Sequence, residues 1–275
     1  MNRKQRRTQA KITSRAGSAA HARVAPAPAQ PAVLDLRNEK PNREAPGRRE
    51  RIRFVVATRE TRENFLTSTA IGKSLSLYRY DFLELRLFPE NQRGLPEVYN
   101  LAIEEARTDP AILVFIHDDV HLLDYFWVER VLRALESFQL LGLAGNKRRV
   151  PRQPGWAFID EKLTWDLPEN LSGVVGHGKT FPPSHLSVFG APGQEVKLLD
   201  GLMLVARSQT FFDNELRFDE AFDFHFYDMD ICRQAELKTV TMGTLALPVI
   251  HESGGSFGSE GWRRGYQRYL DKWKA

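Results

Sequence analysis

The chain has 275 residues, 42% of them hydrophobic, with a formal net charge of +4, which suits one sizeable globular core. No apolar segment approaches the roughly 20 residues that cross a bilayer, and the basic N-terminus runs into Ala, Pro and Ser rather than an apolar signal core, so a cytoplasmic protein is expected. The single cysteine, Cys232, excludes an intramolecular disulfide and a Cys-based zinc cage, leaving carboxylates, imidazoles and a ligand's own oxygens to hold any metal, a set that points toward hard cations.

Charge is unevenly spread. Residues 1–51 hold 13 Lys or Arg against 4 Asp or Glu, so +9, and the remainder holds 26 against 31, so −5. The Ala- and Pro-rich segment 1–50 has too few large apolar residues to offset its ordering entropy and is expected to be a disordered tail. A solubilising leader is preferred over RNA or anionic-membrane binding.

Order is expected from "RIRFVVATR", whose Ile52, Phe54, Val55, Val56 and Ala57 read as a central strand. "ENFLTSTAIGKSLSL" has helical spacing, "DFLELRLF" is a second strand, and "LPEVYNLAIEEARTD" is a helix with Pro96 in its first turn and Asp109-Pro110 ending it. "AILVFI" is a third strand, and "DYFWVERVLRALESF" a further helix. This alternation predicts an α/β domain with a mostly parallel sheet covered by helices, whose ligands sit at the carboxyl ends of strands. "LGLAG" reads as a short strand, residues 146–196 as an irregular Gly-, Pro-, His- and Trp-containing segment, Val196 to Ala206 as a strand, "FHFYDMDICRQAEL" as loop into helix, and "VTMGTLALPVIHE" as a return to strand.

At the end of the third strand stands "HDD", His117 to Asp119. Adjacent carboxylates repel and raise a pKa unless a cation or donors are supplied, and Mg²⁺ or Mn²⁺ with water and phosphate oxygens would resolve this. Capping of the following helix is the alternative. Asp228 and Asp230 open another apparent helix, and His251 follows the apolar run "LALPVI", so three polar groups are each placed at an element end. Asp219, Glu220 and Asp223 read as a solvated loop.

Residues 52 to about 258 resemble the family 2 glycosyltransferases and their relatives, which have the Rossmann-related GT-A fold. "FIHDDV" is similar to their DxD-type motif, "LLDGLMLVARSQTF" to their acceptor-side strand, "FYDMDICRQA" to the segment with the catalytic base, "IHESGGSFG" to a loop with a metal-binding His, and "GLPEVYNLAIEEA" to the helix before the DxD strand. The resemblance implies a single GT-A-like domain over 51–258 and a metal-dependent, inverting transfer from a nucleotide-sugar donor to an acceptor hydroxyl, in surface polysaccharide or glycoconjugate synthesis. It implies Asp119 and His251 as ligands of Mn²⁺ or Mg²⁺, Asp118 on the ribose or sugar, and Asp228 as base. Tyr227 stands where the family has an acid. Thr58, Arg59, Glu90 and Asn91 are the nearest equivalents of its base- and ribose-binding residues. Asp200 is read either as a binder of a sugar or acceptor hydroxyl or as a turn residue before Gly201.

Trp156 and Trp165, near His177 and His185, suit core burial, with sugar stacking as the alternative. The glycines after His251 suit a loop closing over a diphosphate, or a linker. The basic, aromatic segment 259–275 forms a helix that either docks on the core or rests on the inner membrane face, where a lipid-linked acceptor would lie beside sugar and protein acceptors as candidates. A catalytically inactive binding module and a metal-dependent phosphoester hydrolase are the rival readings, and nucleic acid is not an expected partner.

Overall fold

A computed structural model describes residues 50–254 and 257–274. The tail reading falls on residues 1–49, outside the described residues, as do Gly255 and Ser256 of the glycine-rich loop.

The first half follows the expected alternation. Strand β1 (Ile52–Ala57) pairs in parallel with β2 (Leu83–Phe88) and, on its other side, with β3 (Ile112–Ile116). Both faces of β1 and β3 are buried, which is why their sequences are unbroken apolar runs, whereas the edge strand β2 alternates with polar residues. The helical stretch after β1 is two helices rather than one: α1 (Arg62–Ser68) and α2 (Ala70–Leu75). Thr69 divides them, adopting extended angles and accepting a hydrogen bond from the Gly72 amide at 3.0 Å as the cap of α2. A Cβ on Gly72 would run into the Phe65 carbonyl, so glycine allows the sharp join. Helix α3 (Leu95–Glu105) carries its proline in the first turn as expected.

Beyond β3 the architecture departs from a simple alternation. The chain enters a short strand, β4 (Val120–Leu122), before helix α4 (Trp127–Ala134), so "HDD" does not cap a helix. Next come β5 (Leu140–Gly142) and β6 (Ala144–Asn146), and the segment read as irregular contains a hairpin of β7 (Leu171–His177) and β8 (His185–Gly190). The strand read from Val196 to Ala206 is β9 (Leu198–Leu199) and β10 (Met203–Arg207), separated by a turn at Asp200–Leu202. After α5 (Ser208–Asp213) and α6 (Tyr227–Leu237) come β11 (Met242–Thr244), β12 (Val249–His251) and α7 (Glu260–Trp273).

Two sheets result. The central one has the order β11-β5-β10-β3-β1-β2, and only β10 runs against its neighbours, so the mostly parallel sheet is present. The second, unforeseen from the sequence, has the order β4-β12-β7-β6-β9 with β8 on β7. Its origin is local: β5 and β6 are one apolar run that leaves one sheet for the other at Leu143, and β9 and β10 divide in the same way at Asp200. Periodicity cannot show such crossings, because both sides are buried.

Helix α7 docks on the core. Trp262, Tyr266 and Tyr269 place their rings 5.6, 5.6 and 5.7 Å from that of Phe226, and Lys272 pairs with Asp219 and Asp230 at 2.7 and 2.6 Å. Its aromatic stripe is therefore covered by protein rather than offered to a membrane. No helix among the described residues is long and apolar enough to cross a bilayer.

Candidate active site and metal centre

The carboxyl ends of β1, β2 and β3 share one edge of the central sheet, and the sequence places its polar groups there. What brings His251 to the same place is the second sheet. Strand β4 pairs antiparallel with β12, with Val120 opposite His251, and the Glu252 amide donates to the Asp119 carbonyl at 3.0 Å. His251 Nε2 then lies 3.3 Å from Asp119 Oδ2 and 2.9 Å from Ser253 Oγ.

His117 completes a group. One ligand atom each from His117, Asp119 and His251 lies within 4.8 Å of the others. Burial raises the pKa of Asp119, but the hydrogen bond from His251 and the charges of both imidazoles outweigh it and hold the carboxyl at about 2. Its second oxygen, Oδ1, is buried without a hydrogen-bond partner. A buried anionic oxygen without a donor is costly, and a cation is the partner that fits it. Two imidazoles and one carboxylate favour manganese or another transition ion over magnesium, which prefers oxygen donors.

Tyr227 sets the state of His117. The tyrosine hydroxyl donates its single proton to the Gly201 carbonyl at 2.8 Å, and His117 Nε2 lies 3.0 Å from the same oxygen. Nε2 must therefore carry the proton, which leaves Nδ1 with the lone pair that a metal needs. Burial holds the pKa of His117 below the usual imidazole range, against the raising charges of Asp119 and Asp200. Tyr227, which stands where the family has an acid, is thus placed to orient the His117 imidazole.

Asp228 stands on the first turn of α6. Its Oδ2 accepts from the Gly201 amide at 3.1 Å and its Oδ1 from Met229 at 2.8 Å. Burial and the charge of Asp200 push its carboxyl up to about 7, the range suited to a general base. Asp200 has both oxygens engaged, Oδ1 by the Leu202 amide at 2.9 Å and Oδ2 by Trp156 Nε1 at 2.6 Å. It is thus a turn residue and an anchor for Trp156, as well as a wall of the cavity.

That cavity, of about 520 Å³, is lined by His117, Asp200, Asp228 and His251. Asp118 is not among the residues lining it; burial holds its carboxyl above the usual range, against a side-chain hydrogen bond with Thr58. Thr58 in turn accepts from the Asn91 amide at 2.8 Å through its carbonyl, and Arg59 donates to the Asn91 carbonyl and to Gln92 Oε1, the latter at 2.9 Å. The Glu90 amide donates to the Glu60 carbonyl at 3.0 Å in a left-handed conformation, φ 47°. The four residues read as nucleotide contacts therefore gather at the ends of β1 and β2, with the Arg59 guanidinium bound within the loop. Asp230, the other carboxylate of "YDMD", is fully buried and bound to Gln234, Lys272 and Trp273, which makes it structural.

Residues 78–273 match a protein family described as "Glycosyltransferase like family". No curated protein matches the chain in sequence. Among solved structures, GalNAc-T7 crystallised with UDP, GalNAc and Mn²⁺ is similar at 10% identity and a TM-score of 0.47, over 81% of this chain and 48% of that one. A197 from STIV is similar at 10% identity and a TM-score of 0.42, over 74% and 86% of the two chains. S. aureus TarS residues 1–349 are similar at 13% identity and 0.42, over 74% and 60%. The chain spans about half the length of the GalNAc-T7 chain.

Proposed function

Because the chain belongs to the glycosyltransferase-like family, we propose that it is a metal-dependent, inverting transferase that moves a sugar from a nucleotide-sugar donor to an acceptor hydroxyl. The observation that carries this reading is the His117, Asp119 and His251 group, with its orphaned buried oxygen on Asp119, two of whose members, His117 and His251, line the cavity that Asp228 also lines. These three residues would hold Mn²⁺, and the ion when bound supplies Lewis-acid stabilisation of the leaving diphosphate. Thr58 and Asp118, with Arg59, Glu90 and Asn91, face the nucleotide and ribose of the donor. Asp228 takes the proton of the acceptor hydroxyl as its oxygen bonds to the anomeric carbon. The bond from that carbon to the diphosphate oxygen breaks, and the electron pair leaves with the diphosphate. Attack from the opposite face inverts the anomeric centre.

Thermal denaturation with UDP, GDP, CDP, dTDP or ADP, each with and without MnCl₂, tests the reading. One nucleotide at about 100 times its dissociation constant should raise the melting temperature by about 5–10 °C, only with Mn²⁺ and not in Asp119→Ala. A chain that no nucleotide stabilises would instead be a non-catalytic binding module.

The support of His117 is tested separately. Tyr227→Phe removes the oxygen that fixes the imidazole tautomer, and should weaken Mn²⁺ binding by about 10- to 100-fold in an electron paramagnetic resonance titration. His117→Ala should weaken Mn²⁺ binding more than Tyr227→Phe does, because it removes the ligand atom itself. Mn²⁺ affinity unchanged in Tyr227→Phe would remove the tyrosine from the centre.

A further inference from the structure

The cavity that holds Asp228 has a composition that narrows the acceptor, given the transferase reading above. Among the described residues lining it there is no lysine or arginine, while the Asp200 and Asp228 carboxylates line it and the Glu252 carboxylate is paired with His121 at 3.0 Å. His177 and His185 also face it, stacked ring on ring with centroids 4.7 Å apart and planes 12° from parallel. An acceptor bearing a phosphate or a uronate would enter this cavity beside the Asp200 and Asp228 carboxylates and meet no lysine or arginine among the described lining residues.

The opposite wall is aromatic and built to stay in place. Residues 156–166 form a tight turn back on themselves: Phe158 and Trp165 bridge antiparallel, the Asp166 amide donates to the Ala157 carbonyl at 2.8 Å, and the Asp166 carboxylate binds Asn146 and Arg148. Trp156 is tied to Asp200 through its indole nitrogen. Trp165 lies flat against Phe189, with centroids 5.8 Å apart and planes at 18°, and meets Phe158 edge-on at 5.0 Å. Despite this bracing, Trp165 is 53% exposed. An indole braced by Phe189 and Phe158 and still half exposed is a platform for a flat apolar surface with polar edges.

We propose that the acceptor is an uncharged pyranose unit of a glycan, which stacks its apolar C–H face on Trp165 and turns its hydroxyls toward Asp228. Ser187 and His185 lie along the same wall and suit its remaining hydroxyls. Such a unit satisfies both halves of the cavity, whereas a lipid-borne phosphate or an acidic sugar satisfies only the aromatic half.

Saturation-transfer NMR on the full chain with Mn²⁺ and the stabilising nucleoside diphosphate tests this. The probes are lactose, cellobiose, maltose and chitobiose as neutral sugars, with glucuronic acid and mannose 6-phosphate as charged ones. The expected result is saturation of ring protons in at least one neutral disaccharide and none in the charged sugars. Trp165→Ala should weaken that disaccharide by about tenfold while the nucleotide-induced thermal shift is kept. A charged sugar that binds better than every neutral one overturns the proposal, as does unchanged affinity in Trp165→Ala. No sugar binding with the nucleotide shift intact overturns the acceptor assignment alone, whereas loss of both overturns the transferase reading with it.

Discussion

Asp228→Asn is expected to lower turnover by about 10²- to 10⁴-fold, the usual contribution of a general base, while Mn²⁺-dependent binding of the nucleoside diphosphate is kept. The amide oxygen can accept from the Gly201 or the Met229 amide but not from both, so a urea denaturation curve of the variant should accompany its kinetics to separate a loss of stability from the loss of the base. The pH dependence follows from the environment. Burial, and then the Asp200 charge, raise the carboxyl to about 7, and a base acts only when deprotonated. Activity should therefore rise with pH through an apparent midpoint near 7 and fall away in acid. In Asp228→Asn that limb should vanish. Asp200→Asn removes the repelling neighbour and should move the limb to lower pH, provided Trp156 stays anchored by the amide oxygen. Stability runs the other way. A carboxyl that titrates near 7 when folded and near 4 when unfolded binds more protons in the native state across that interval, so it contributes declining stability as pH rises through it. A turnover within experimental error of wild type in Asp228→Asn would remove this residue from the chemistry.

Gly201→Ala is expected to cost activity on the order of 100-fold without touching a reacting group. A Cβ there would collide with the Tyr227 hydroxyl, stand 2.7 Å from its ring carbon Cζ, and lie 3.1 Å from Asp228 Cβ. Tyr227 is fully packed and its hydroxyl is bound at both His117 and the Gly201 carbonyl, so it has no room to yield cheaply. Relief must come from moving the tyrosine, the base, or both. Overpacking of this kind costs about 1–3 kcal/mol of stability, and a displacement of about 1 Å at a catalytic group costs about 10²-fold in rate. Urea denaturation and steady-state kinetics separate the two. A variant that loses stability but keeps its rate would show that Asp228 tolerates the shift.

The fold was legible where burial is two-sided and continuous. The runs "IRFVVA" and "ILVFI" announce β1 and β3 because no polar position interrupts them. The β7–β8 hairpin was hidden because β8 turns Leu186 and Val188 to solvent and His185 and Ser187 to the cavity, so neither face has the composition of a core strand. At the site, Asp119 and His251 were legible as polar groups stopping apolar strands, and the structure brings them together. Their meeting was not legible, because it depends on the pairing of β4 with β12, two three-residue strands far apart in sequence, and the hold of Tyr227 on His117 was hidden by a like separation along the chain. Nor was the exposure of Trp165 legible. A tryptophan in an irregular segment is usually core, as Trp156 is, and only the bracing by Phe158 and Phe189 leaves its neighbour open.

The docking of α7 bears on how Asp228 is held. Phe226, the residue immediately before Tyr227 and Asp228, adopts a left-handed conformation, φ 69°, that a bulky side chain holds only under constraint. The constraint is the aromatic face of residues 262–269, which encloses its ring. The turn into α6 is thus fixed from outside both sheets, and thinning that aromatic face should loosen the approach to Asp228 while the strands stay paired.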